Sequence, residues 1–215
     1  MVSTPRWGTG GVLSDLQLRV ARIIAGLVEA EDFALAGGAA LIVRGDVERA
    51  TRDLDFFGTS ADAVDHLVPA AESALQQAGF QVERLIDSPG FTRFVVANEL
   101  DRKEVDLASD ARLFPTEAGP GFELLSSEEL AADKVLAVFG RAEARDYVDL
   151  MSIEPRFGLT RLFELAREKV ASAQSYSSRC WIASHAFGGT NSPSTIFGSK
   201  SCSIGFRCGE WVHSN

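Results

Sequence analysis

No cysteine occurs before position 180; the three present, Cys180, Cys202 and Cys208, fall in the last part of the chain at irregular spacing. An odd, unevenly spaced set is neither a disulfide framework nor a zinc site, and His185 and His213 do not supply the close pairs a metal cluster needs. No apolar run reaches the roughly 18 residues of a membrane-spanning helix. The opening, MVSTPRWGTGG, carries no apolar segment of the secretory kind, so a cytoplasmic location is expected. Positive charge is also short: 21 Lys and Arg stand against 30 Asp and Glu, a net charge of −9. That balance argues against broad non-specific nucleic-acid binding. It leaves room for a local basic patch, because Arg44, Arg49, Arg52, Arg141 and Arg145 lie near the segments singled out below.

What is present is ordinary in amount and informative in order. At 215 residues, with 46% hydrophobic and 24% charged residues, the chain is long enough for one soluble domain or one plus an appendage. Residues 33–57 read as strand, glycine turn, helix start, loop and strand. Glycines between a strand and a helix let the backbone approach a phosphate, and the helix start offers it free N–H groups. Here these are Gly37 and Gly38. Residues two apart on a strand share a face, so Asp53 and Asp55 project together while Leu54 and Phe56 face the other way. Paired carboxylates suit a hard cation such as Mg²⁺, which binds one or two of them together with nucleotide phosphates. A glycine cradle followed by such a strand is what phosphoryl or nucleotidyl transfer requires.

Around this stretch the periodicities predict further elements. A helix is expected over 13–29 with Ser14 as its cap, and a second from Thr59 or Ser60 to Gly79, presenting Val64, Leu67, Val68, Ala71 and Leu75. A strand at 80–86 follows, then an antiparallel pair at 91–98 and 103–109. The last of these carries Asp106, which would complete a three-carboxylate site if set beside Asp53 and Asp55; Glu104 and Asp106 equally describe the wet face of a hairpin. Residues 114–122 form a Pro/Gly loop, after which the chain reads as helices: 126–139 behind Ser126, then 142–153, then 159 to about 173.

Two of these helices hold a second constellation, Ala132-Asp133-Lys134 and then Arg145-Asp146-Tyr147-Val148-Asp149-Leu150. Adjacent helical residues cannot face one point, so only one of Asp133 and Lys134 is expected in a site. Lys134 would serve as a compact charge against a triphosphate. Asp146 and Asp149 share a helix face, which on spacing alone also describes a solvated face with ion pairs.

Taken together, Gly37-Gly38-Ala39-Ala40-Leu41, Arg49-Ala50-Thr51-Arg52-Asp53-Leu54-Asp55, Ala132-Asp133-Lys134 and Arg145-Asp146 through Asp149-Leu150 resemble the motifs of the AbiEii/AbiGii toxin family. That family includes the MenT toxins and falls within the DNA polymerase β-like nucleotidyltransferases. The resemblance spans roughly residues 30–155. The wider superfamily has Gly-Ser where this chain has Gly37-Gly38, so a hydroxyl contact to phosphate is missing. The resemblance implies an α/β (α+β) fold, with a small mixed sheet carrying the carboxylates, flanking helices, and a helical C-terminal part closing over the nucleotide. It implies transfer of a nucleoside monophosphate from an NTP to an acceptor such as the tRNA 3′ end, by a toxin with a separately encoded antitoxin.

On this reading Asp53, Asp55 and Asp106 bind Mg²⁺ or Mn²⁺. Gly37, Gly38, Thr51, Arg52 and Lys134 bind the nucleotide, and Asp146 and Asp149 are further catalytic acids. The rivals are a small-molecule nucleotidyltransferase of the antibiotic-modifying sort, a non-catalytic binding module, and an inactive toxin. The expected organisation is a core over 1–115, a helical subdomain over 116–173, and an atypical Ser-rich tail over 174–215 of the kind a frameshift would leave.

Overall fold

The structure is a computed structural model and describes residues 13–175; the expectations for the first residues and for the tail, cysteines included, lie outside them. The first helix, α1 (Asp15–Ala25), starts at Ser14, whose hydroxyl accepts the Gln17 N–H while the Gln17 side chain accepts the Ser14 N–H. This reciprocal cap settles the start and leaves Leu16, Val20 and Ile24 on one buried stripe. The helix ends at Gly26, short of the expected Glu29, and a 3₁₀ turn at Val28–Ala30 takes up the rest.

Next come β1 (Ala34–Ala36), buried throughout, α2 (Gly37–Arg44) and β2 (Asp53–Gly58). In β2, Leu54 and Phe56 are inside and Asp53 and Asp55 half-buried. Each of the two apolar side chains adds about 1.5–3 kcal/mol on burial, enough to set the register and hence the face on which the carboxylates emerge. Helix α3 (Ala61–Gln77), capped by Ser60, packs the predicted apolar stripe against the sheet, and Gly79 (φ 87°) turns the chain back. Three strands follow: β3 (Gln81–Ser88), mostly exposed at the sheet edge, β4 (Phe91–Ala97) and β5 (Arg102–Ser109).

Two strands were not legible. The 114–122 loop contains β6 (Glu117–Ala118) and leads to β7 (Glu123–Leu124), and β7 pairs parallel with β1 at Leu35 and Leu124. Strands of two residues carry no periodicity to read. Because of them the sheet extends past position 116, with order β3-β4-β5-β2-β1-β7-β6.

After the sheet come α4 (Ser127–Gly140), capped by Ser126, and α5 (Ala144–Ser175). The two runs read separately in the sequence form α5, broken at Gly158, whose φ of 72° is not helical. Among the described residues no helix is long and apolar enough to cross a membrane.

Candidate active site

The cleft is built from the β1–α2 turn upward. Gly37 has φ 58°, and a β-carbon there would overlap the Asp55 carboxylate; one on Gly38 would meet the Arg49 guanidinium. Both glycines are therefore places where a charged side chain lies close against the backbone. Ala36 offers α2 no side-chain cap, so the first-turn N–H groups have no side-chain acceptor in the cap.

The sheet brings the carboxylates together. β2 and β5 run parallel with Asp55 opposite Asp106 and Asp53 opposite Glu104. On the other side of β5, Arg93 of β4 stands opposite Asp106 and donates to both its oxygens at 2.7 Å. Those hydrogen bonds outweigh desolvation and hold the Arg93 guanidinium charge more firmly than usual. Arg145 of α5 donates to Asp53 Oδ2 at 2.6 Å.

The other wall comes from the helices. Lys134 lies 2.8 Å from Asp149 and 3.8 Å from Asp146. Arg49 grips Asp149 through two 2.7 Å bonds, and Arg141 grips Asp146 at 2.8 and 2.9 Å. Asp146 and Asp149 are fully buried, so the solvated-face alternative does not apply. Burial by itself would raise both acids, but the arginine hydrogen bonds and the nearby charges of Lys134 and the arginines hold them below the usual carboxylate range.

The Asp133 carboxylate is paired with Lys169. That lysine, 3% exposed, also meets Asp110 at 2.6 Å and Glu129 at 2.8 Å. Burial among these acids pushes Asp133 up to about 7 despite Lys169.

The resulting cleft is lined by Gly37, Gly38, Thr51, Asp53, Asp55, Asp106 and Lys134, seven positions singled out in the sequence. Asp133 also reaches its wall, contrary to the expectation that only one of the adjacent pair would. Asp146 and Asp149 are not part of the lining; they lie behind it and fix Lys134, Arg49 and Arg141. Arg52 is exposed and outside the cleft, because it is one residue out of phase with Asp53. Arg44 is turned to Asp46 and Glu117. Two participants were missed. Arg93 was signalled only as a lone charge within the apolar strand FTRFVVA, and Lys169 sits in a helix rich in charge, where nothing marks it as buried.

Among the described residues no group of three or more acids, histidines or cysteines is arranged to hold a metal. Asp53 and Asp55, adjacent on one face of β2, nevertheless form the two-carboxylate oxygen set that suits Mg²⁺ bound jointly with phosphates.

The sequence model of the family described as nucleotidyl transferase AbiEii toxin, type IV TA system, matches residues 21–179. The chain belongs to the AbiEii nucleotidyltransferase toxin family. It is accordingly a nucleotidyltransferase of a toxin–antitoxin system, with an NTP as substrate and an antitoxin as partner. Its fold is shared with JHP933 from Helicobacter pylori (22% identity, TM-score 0.51, covering 76% of this chain and 81% of that one). A second H. pylori structure is alike at 21% identity and TM-score 0.52, with 76% and 82% covered. The nucleotidyltransferase toxin MenT4 from Mycobacterium tuberculosis matches at 20% identity and TM-score 0.46, over 69% of this chain and 68% of its own. No curated protein sequence matches the chain. All four segments that carried the resemblance to AbiEii proteins fall inside the matched range, and each contributes to the cleft or to the ion pairs behind it.

Proposed function

We propose that this AbiEii protein transfers a nucleoside monophosphate from an NTP to the 3′ end of a tRNA in the cytoplasm, releasing pyrophosphate, and that its antitoxin suppresses this activity. The observation that carries the reading is the convergence, in one cleft, of the glycine-started α2, the Asp53–Asp55 face of β2, and Lys134. Gly37 and Gly38 receive phosphate through backbone N–H groups at the helix start. Lys134, held between Asp146 and Asp149, faces the pyrophosphate as charge develops on it. Thr51 adds a hydroxyl at the edge; Arg52, outside the cleft, is left to the acceptor. Asp53 and Asp55 would hold Mg²⁺, or Mn²⁺, which when bound neutralises triphosphate charge.

In the transfer the acceptor oxygen bonds to the α-phosphorus, the bond from that phosphorus to the oxygen bridging to the β-phosphate breaks, pyrophosphate leaves, and the proton of the acceptor hydroxyl passes to solvent. Asp106 stands beside Asp55 as a third carboxylate. Both its oxygens already accept from Arg93, so taking up the proton or joining a bound ion would each disturb that pairing. Asp146 and Asp149 act by positioning Lys134, Arg49 and Arg141.

A small-molecule acceptor is the second reading, favoured by the net charge of −9. The deciding experiment supplies each of four α-³²P NTPs with Mg²⁺ and total tRNA, beside the Asp53→Ala, Asp55→Ala variant. Label on tRNA from the wild type alone is expected. Pyrophosphate release with small hydroxyl compounds and none with RNA would replace the acceptor, and silence in both with a folded protein would refute the activity.

A further inference from the structure

The cleft carboxylates differ in how firmly they are held. Asp106 is 1% exposed and engaged on both oxygens by Arg93. Asp53 shares one contact with Arg145, and both side chains reach solvent, at 22% and 36% exposure. A half-exposed single contact of this kind contributes at most about 1 kcal/mol and yields to a stronger competitor, whereas a buried bidentate pair does not. A divalent ion on Asp53 and Asp55 would compete with Arg145 for the same carboxylate. Once displaced, the guanidinium would remain in the wall of the cleft that contains Gly37, Gly38 and Lys134. Its planar fork matches the oxygens of a phosphate. The connection that delivers Arg145 is itself unusual: Ala142 is the one described non-glycine residue with positive φ, 54°, a conformation retained where surrounding contacts impose it. Glu143, 2.8 Å from Arg145 Nε, supplies one such contact.

We propose that Arg145 is an exchangeable counter-charge, neutralising Asp53 in the structure described and passing to the triphosphate when a divalent ion takes that carboxylate. The inference rests on the nucleotidyltransferase reading and goes beyond it. It makes ion and nucleotide binding mutually reinforcing: the ion alone must displace Arg145, and the nucleotide gives the displaced group a new partner. Such coupling is reciprocal.

The test is Mn²⁺ binding to the full chain, followed by electron paramagnetic resonance, with and without an α,β-methylene NTP analogue. Arg145→Gln should bind Mn²⁺ alone roughly fivefold more tightly, the factor matching an ion pair of about 1 kcal/mol. In the presence of Mn²⁺ it should bind the analogue several-fold more weakly, so the coupling between the two shrinks. Arg161→Gln, which removes the same charge from a position outside the cleft, should change neither. Arg145→Lys keeps the charge without the fork. It should hold Mn²⁺ near the wild-type affinity while losing analogue affinity, and it carries the test if the glutamine variant does not fold.

An Arg145→Gln protein with wild-type melting behaviour and unchanged or weaker Mn²⁺ affinity would overturn the inference alone. A wild type that binds no Mn²⁺ in either condition would overturn the functional reading, and this inference with it.

Discussion

Asp133→Asn isolates the electrostatic cost of the buried cluster at the back of the cleft. Lys169 is one cation facing three acids, Asp110, Glu129 and Asp133, in a region where all four are nearly out of water. Three ionised carboxylates would leave two negative charges uncompensated, and Asp133 Oδ2 is buried without a hydrogen-bond partner. Its carboxyl, pushed from 3.8 up to about 7 by burial and by its acidic neighbours, therefore keeps its proton well above the usual range. The sign follows from linkage. Below the unfolded value both states are protonated and the full stability is present; as pH rises towards 7 the unfolded chain releases a proton that the folded one retains, and stability is lost.

Across that interval the wild type loses up to about 4 kcal/mol through this group. Asn resembles the protonated acid and cannot titrate, so the variant escapes the loss, while Lys169 keeps Asp110 and Glu129. Equilibrium unfolding in urea at pH 4.5 to 8, in about half-unit steps, should show the variant gaining on the wild type as pH rises. Parallel stability curves for the two proteins across this range would refute the argument.

Three other outcomes are expected. Lys169→Met leaves buried acids without their cation and should cost about 3–5 kcal/mol, lowering the melting midpoint by roughly 10 °C or more in a calorimetric scan. Asp149→Asn strips the partner shared by Arg49 and Lys134 and should destabilise by about 3 kcal/mol or more at neutral pH. Because its pairs hold Asp149 below 3.8, the wild type's advantage exists above that value and fades as pH falls through and below it, so acid titration should bring the two proteins together. Gly37→Ala forces a side chain into positive φ at about 1–2 kcal/mol and against the Asp55 carboxylate. Its KM for NTP should rise and its melting midpoint fall, both readable on the purified variant.

The readable parts of the sequence share a feature: each rests on contacts within one element or one turn. Ser14, Ser60 and Ser126 announced their helices because a hydroxyl at the cap answers N–H groups three residues on. The alternation around Leu54 and Phe56 placed Asp53 and Asp55 on one face. What eluded the reading depends on partners distant in the chain. Strand β7 exists because Leu124 meets Leu35, and Arg93 matters because β4 sets it opposite Asp106. Helical spacing let Asp146 and Asp149 be either wet or buried. Their burial follows from Lys134 of α4, from Arg141 in the connection after it, and from Arg49 in the loop before β2.

The sequence by itself determined the helices and the longer strands in their order, the glycine turn, the paired carboxylates and the family, since all of these are written in local periodicity and motif. Only the tertiary structure decided which charges neutralise which. Arg145 on Asp53, Arg93 on Asp106 and Lys169 among three acids are pairings across 92, 13 and up to 59 positions of chain, made when packing leaves each buried charge no other way to be compensated.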